Sequence, residues 1–322
     1  MPELFCTYAL REGGSPTPRS RFLERLGPLS PAQEEAAATL RARATAWDRA
    51  EAYCPAPPPF PTPEAALRPN RLRVTDLDTL FRDPYSIYAR EVLRLRARDA
   101  LDASPEASDF GSIAHRAIEA LTRHWNETGV AADSATLRQL SDQALRDFSE
   151  QPNVAYFWRE RLLNGLHYIN RLEAERRSAA AITVESEYPV EGTLPLPDDS
   201  HFTLHGRIDR IERQPDGTRA LVDYKTGTPP TESEILSGRA LQLLAYAILL
   251  GDAPAQTLEY WQLPRLGTEG NITCAMPEPL QLSQLEAALA AALAAMRHSA
   301  TPFLALAEES DYEGLTRRAE WV

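Results

Sequence analysis

Three residues of this sequence are placed to do chemistry: Asp209, Asp223 and Lys225. Lys225 lies in Leu221-Val222-Asp223-Tyr224-Lys225-Thr226-Gly227, two residues after an aspartate. It is the only lysine among the 34 lysines and arginines of the chain. The two cations are not equivalent. Lysine offers a compact charge whose pKa moves readily, whereas arginine offers a planar fork that stays protonated. A chain that uses arginine everywhere else and lysine here marks a position that needs an ammonium group. Carboxylates gathered around such a group suit a divalent cation and the hydrolysis that a cation assists.

The elements that must hold these residues can be read around them. Pro215-Asp216-Gly217 separates two strand-like runs, His201–Arg213 and Thr218–Lys225. That order suits a three-residue hairpin loop, a type I turn closed by glycine in the left-handed region. Gln214 then faces Thr218, and Asp209 falls opposite Asp223. Because strand side chains alternate between faces, Asp223 and Lys225 project to the same side. Two carboxylates set against each other repel unless something compensates. Lys225 supplies part of that compensation and Mg²⁺ or Mn²⁺ would supply more. A solvated salt-bridge cluster is the bland alternative, but Ile208, Leu221 and Val222 argue for a half-buried sheet. Glu185 and Glu187, on a preceding strand at Ile182–Val190, read as ordinary exposed strand acids.

The rest of the chain is helix-rich on both sides of these strands. Seven prolines between Cys54 and Asn70 preclude a helix and favour an extended strap. This places an arm at residues 1–53, a linker at 54–69 and the main domain at 70–322. In the arm, Ser30-Pro31-Ala32-Gln33 starts a helix reaching about Tyr53. In the main domain helices are expected near Thr75–Asp83, Pro84–Leu95, Phe110–Trp125, Ser134–Glu150, Val154–Ser178, Glu232–Leu250 and Ser283–Arg297, with a further strand at Thr257–Leu263. Ile113, Ala117, Leu121 and Trp125 fall at core spacing on the third of these helices.

Composition sets bounds. At 322 residues, 43% hydrophobic and 25% charged, the chain is ordinary for a soluble globular protein. No apolar run is long enough to span a membrane and the N-terminus lacks a signal-peptide pattern, so a cytoplasmic setting is expected. Cys6, Cys54 and Cys274 are too scattered for a disulfide framework or a metal cluster and read as small buried hydrophobes. The net charge of −12 excludes a uniformly basic nucleic-acid surface. Positive charge must be local, or come from metal ions or a partner.

Four blocks, in order, resemble the PD-(D/E)XK nuclease superfamily in its RecB-like branch: Gly111-Ser112-Ile113-Ala114-His115, Gly206-Arg207-Ile208-Asp209, Asp223-Tyr224-Lys225 and Gln242-Leu243-Leu244-Ala245-Tyr246. Within that branch the chain resembles the nuclease domain of the AddB family. Val74-Thr75-Asp76-Leu77, Asp83-Pro84-Tyr85 and the tail segments Asp311-Tyr312-Glu313-Gly314-Leu315 and Arg318-Ala319-Glu320-Trp321 carry this second likeness, and Gly14-Ser15-Pro16-Thr17-Pro18 is similar to the end of the preceding helicase-like region. The resemblance implies an α/β fold with a PD-(D/E)XK (restriction-endonuclease-like) core, a central mixed sheet flanked by helices, and a helical N-terminal arm. It also implies that the chain corresponds to the C-terminal third of such a protein.

What the resemblance implies for the site is a metal held by His115, Asp209 and Asp223, with a main-chain carbonyl after Asp223 as a further donor. Lys225 orients the attacking water or steadies charge on the phosphate. Gln242 and Tyr246 position Lys225, contact the DNA backbone, or simply pack on the sheet. The implied activity is Mg²⁺- or Mn²⁺-dependent hydrolysis of single-stranded DNA in double-strand break repair, beside an AddA-like helicase–nuclease partner. A non-catalytic DNA-binding or scaffold module is the alternative. Neither an iron–sulfur cluster nor ATP binding is expected, since the cysteines are scattered and no Walker A loop is present.

Overall fold

Two units divide the chain, Met1–Ala56 and Pro57–Trp321. The computed structural model describes residues 6–12, 14–49, 57–96, 107–148, 152–251, 256–265, 267–307 and 310–318. The first unit holds a two-strand hairpin, β1 (Arg11–Glu12) and β2 (Ser15–Pro16), then α1 (Arg21–Glu24) and α2 (Pro31–Asp48). Ser30 and Gln33 close a reciprocal capping box at the start of α2. No residue of α2 is buried, in keeping with its alanine-rich, weakly apolar sequence. The expected extension of this helix to Tyr53 lies outside the described residues, as do Cys54 and the segment Ala319-Glu320-Trp321.

In the second unit the Pro-rich segment meets the C-terminal part of the chain. The buried Arg68 donates to the carbonyls of Met296, Ser299 and Thr301, and Phe303 N–H donates to Pro61 O. The chain then runs β3 (Arg71–Arg73), α3 (Asp76–Arg82), α4 (Pro84–Ile87, continued by a π-turn through Val92), α5 (Ala107–Thr128), α6 (Ser134–Ala144) and α7 (Pro152–Ala179). It continues through β4 (Thr183–Pro195), β5 (His201–Arg213), β6 (Arg219–Lys225), α8 (Glu232–Leu236), α9 (Gln242–Leu250), β7 (Gln256–Gln262), β8 (Asn271–Ala275), α10 (Pro279–Arg297) and α11 (Glu313–Thr316).

The six strands β3–β8 form one mixed sheet. Along one edge β5 pairs antiparallel with β4 over its whole length. Its other edge is shared. Parallel β3 takes Thr203 to His205, antiparallel β6 takes Arg210 to Arg213, and the residues between meet neither strand. β7 then adds parallel to β6, and β8 antiparallel to β7. One face of the sheet carries Ile208, Ile211, Leu221 and Tyr260 against α9 and α10. The other carries Val222, Tyr224 and Trp261 against α5, α6 and α7. The architecture is thus α/β, with a mixed sheet between helical layers.

The structure revises several expectations. The single helix expected over Glu232–Leu250 breaks in two. Gly238 takes φ +73°, a conformation that ends α8, and α9 begins afresh with its first N–H groups turned toward Asp78. The strands β3 and β8 have no counterpart in the sequence reading; each is short and lies at a sheet edge, where a weak alternation pattern suffices. Cys6 and Cys274 are exposed rather than buried. Cys274 sits on the edge strand β8, where alternate side chains face outward.

Candidate active site

The hairpin of β5 and β6 sets the geometry. Gln214 N–H bonds Thr218 O, Asp216 accepts from Thr218, and Gly217 takes φ +87°. The register is the one expected from the loop, pairing Arg213 with Arg219 and Arg210 with Val222. The ladder stops one pair short of Asp209 and Asp223, so these acids do not face each other as a regular pair.

A local change of phase explains the stop. Ile208 and Ile211 lie in the same core layer, while Arg210 between them is buried on the opposite side. Strict alternation would put Ile208 and Arg210 together, so β5 switches faces at Asp209. β4 distorts at the matching point: Ser186 pairs with Arg210 and Tyr188 with Ile208, but Glu187 between them is unpaired and adopts φ +51°. A left-handed glutamate costs on the order of 1–2 kcal/mol. This strain turns Glu187 and Asp209 into the gap between β3 and β6.

Asp209 Oδ2 accepts from Tyr224 N–H at 2.9 Å. From α5, His115 Nδ1 lies 3.4 Å from the same oxygen, and its Nε2 lies 3.0 Å from Tyr224 O. Burial opposes charge on His115, but the hydrogen bond and charge of Asp209, with Asp223 behind it, outweigh this and raise its pKa to about 9. The imidazolium therefore bridges Asp209 and the Tyr224 carbonyl. It stands where a cation would be welcome.

One oxygen or nitrogen each from His115, Glu187 and Asp209 falls within 4.8 Å of the other two. Burial and the Asp209 charge raise the Glu187 pKa. These donors line a cleft of about 520 Å³, together with Ser112, Arg116 and Arg207. Hard oxygen and imidazole donors with a surplus of negative charge fit a divalent cation such as Mg²⁺ or Mn²⁺. Glu187 belongs to this group, not to the ordinary exposed acids; its role is hidden in the sequence because the φ +51° kink is a tertiary feature. Glu185 pairs with Arg213 at 2.9 Å.

Asp223 is nearly fully buried, 3% exposed. Its Oδ2 lies 2.7 Å from Lys225 Nζ but makes no well-angled hydrogen bond, and its Oδ1 accepts from Gln242 Nε2 at 2.6 Å. Burial first, then the charge of Asp209, push its pKa up to about 6 against the pull of Lys225. Lys225 Nζ also donates to Gln242 Oε1 at 3.2 Å and lies 5.4 Å above the Tyr260 ring. Gln242, the first residue of α9, thus grips both the acid and the ammonium group. Tyr246, one turn on, is 1% exposed and rests on Gly206, where any Cβ would collide with its hydroxyl. Its burial leaves no surface for a DNA strand to touch.

The fold, the order of motifs and the site converge on one class. Residues 71–308 match the PD-(D/E)XK nuclease superfamily, and the chain belongs to it. An uncharacterized protein of Rickettsia bellii is 28% identical over 183 residues, covering 56% of this chain and 22% of its own. One of the two chains of an ATP-dependent helicase/deoxyribonuclease from Streptococcus agalactiae is 27% identical over 221 residues, covering 66% of this chain and 19% of its own. The crystal structure of SSO0001 is a remote likeness, 18% identical with a TM-score of 0.31, covering 69% of this chain and 73% of that one. The chain spans about a fifth of the length of the curated relatives it matches. Among the described residues no helix is long and apolar enough to cross a membrane.

Proposed function

We propose that the chain is a Mg²⁺- or Mn²⁺-dependent deoxyribonuclease that hydrolyses phosphodiesters of single-stranded DNA, acting as an exonuclease in double-strand break repair beside an AddA-like helicase–nuclease partner. The observation that carries this reading is the conjunction of Lys225, Asp223 and Gln242 with the His115–Glu187–Asp209 group around one peptide, that of Tyr224. The likeness to a helicase/deoxyribonuclease chain supports the setting in repair.

His115, Glu187 and Asp209 would hold the cation, with Asp223 and the Tyr224 carbonyl beside them. When bound, the cation polarises a phosphoryl oxygen and makes a water easier to deprotonate. Lys225 orients the attacking water and balances charge growing on the phosphate. Gln242 fixes the direction of both Asp223 and Lys225. Tyr246 on Gly206 seats α9 so that Gln242 reaches them. Trp47 of α2 is 94% exposed, which supports a role for residues 1–53 as a junction to a larger assembly.

The test is degradation of end-labelled single-stranded DNA with Mg²⁺ or Mn²⁺. Lys225→Ala and Asp223→Ala should each lower the rate by roughly 100-fold or more. Lys225→Arg should lose most activity as well, since the fork is too large for the place and too weak an acid. Near-normal turnover by Lys225→Arg, or no cleavage by the wild type with either metal, refutes the proposal.

A further inference from the structure

The loop Thr226–Thr228, directly after Lys225, is held by three side chains from other elements. Arg161 of α7 donates to Thr226 O at 2.9 Å, Gln262 to Gly227 O at 3.0 Å, and Arg265 approaches Thr228 Oγ1 at 3.5 Å. Arg161 and Arg265 are close enough that, after burial, the Arg265 charge further depresses the Arg161 pKa. In a chain of net charge −12, two guanidinium groups meet at the rim of the site, and among the described residues no carboxylate forms an ion pair with either. Elsewhere the arginines of α7 are paired: Arg159 with Asp142, Arg176 with Glu212 and Glu259, and Arg177 with Glu173.

The apolar surroundings add a second feature. The Arg161 guanidinium lies 4.1 Å from the ring centroid of Phe110, the residue before Gly111 of the His115 helix. One turn before Arg161 on the same face of α7, Phe157 is 69% exposed, and the neighbouring Tyr156 is equally exposed. Two large rings stand in solvent within a helical turn of a cation that touches the loop after Lys225. A flexible strand with anionic phosphates and flat bases satisfies both features at once: guanidinium groups match phosphate oxygens, and rings stack on bases without regard to sequence.

We propose that Arg161 and Arg265 hold a phosphate of single-stranded DNA adjacent to the one being cut, and that Phe157 stacks the base beyond it. The inference rests on the nuclease reading for its direction and adds the route by which the strand enters. It also answers the charge problem, since a local cationic rim serves where the protein as a whole is acidic. A duplex keeps its bases stacked inside and could use the arginines but not the ring.

The experiment measures binding apart from cleavage. Full-length protein carrying Asp223→Asn is titrated into a fluorescent 12-residue oligo(dT) in Mg²⁺, over a range of salt. Arg265→Ala should weaken binding about tenfold and reduce the slope of log K against log[salt] by about 0.7, one phosphate contact on a single strand. Arg265→Lys should keep the slope. Phe157→Ala should weaken binding about tenfold with the slope unchanged, and Phe157→Trp should restore it. A duplex of equal length should ignore Phe157→Ala. Failure of the parent to bind oligo(dT), or unchanged affinity and slope in both alanine variants, overturns the proposal. Oligo(dT) binding that depends on these residues, in a protein whose wild type cuts nothing, would sink the nuclease reading alone. Normal cleavage with all variants binding as the parent would sink only the strand path.

Discussion

Asp209 and Arg210 are neighbours on β5, yet their surroundings are opposite. Arg210 is fully buried and bonds Glu173 of α7 and, at 2.8 Å, Glu212. Arg176 reaches Glu212 and Glu259, Arg177 reaches Glu173, and Trp261 lies beside both Arg176 and Arg210 while donating to Glu259. Three carboxylates meet three guanidinium groups, so this cluster is balanced. On the other side of the strand, Asp209, Asp223 and Glu187 meet Lys225, the imidazole of His115 and, at the 3.9 Å margin, the exposed Arg207. A buried network closed on itself needs no ligand. A cluster left short of close positive charge keeps Asp223 and Glu187 at raised pKa and invites a cation. The two clusters separate what holds the sheet from what acts on a substrate.

The contrast breaks most strongly at Arg210. Arg210→Met leaves Glu173 buried with only Arg177, and should cost about 3–5 kcal/mol in urea unfolding. The same network sets an acid limit. Burial pushes the Glu173 pKa up, but the hydrogen bonds and charges of Arg210 and Arg177 outweigh that and hold it below its ordinary 4.5. The unfolded chain therefore binds the proton more readily. The stability from Glu173 is present above about pH 4.5 and is lost as pH falls through the lower folded value. Wild-type unfolding curves taken downward from pH 6 should show this loss, and Arg210→Met should remove much of it.

In the candidate site the sign is reversed. The Asp223 pKa is about 6 in the fold against 3.8 ordinarily, so ionised Asp223 destabilises the metal-free protein at neutral pH. Its stabilising protonated form is complete below 3.8 and lost as pH rises through about 6. Asp223→Asn should raise stability by on the order of 1–3 kcal/mol at pH 8 in EDTA, while abolishing cleavage. A destabilised Asp223→Asn protein would contradict the surplus-charge account. A smaller effect sharpens the metal assignment. Glu187→Gln should weaken Mn²⁺ binding about tenfold by calorimetry, whereas Glu185→Gln, removing a partner of Arg213, should leave it within about twofold.

Much of this was legible in residue types. The Pro215-Asp216-Gly217 loop set the β5–β6 register, because a tight turn leaves few ways to pair the strands it joins. The spacing of Asp223 and Lys225 put both on one side, and Gln242 fell where it could reach them. Glu187 was not legible, since no local pattern announces a strand residue forced to φ +51°. Nor did the sequence reveal that Arg210, between Asp209 and Ile211, would be fully buried; its partners lie 37 residues away on α7 and two residues away on β5.

From the amino acids alone came the identity of the reacting groups, the order of the four motifs and the turn that brings two strands together, all consequences of short-range geometry. The three-dimensional fold alone decided where β5 changes face, which acid joins His115, and which arginines remain at the rim without a carboxylate. Those outcomes depend on helices from distant parts of the chain competing for the two faces of one sheet, and neither strand periodicity nor motif spacing encodes that competition.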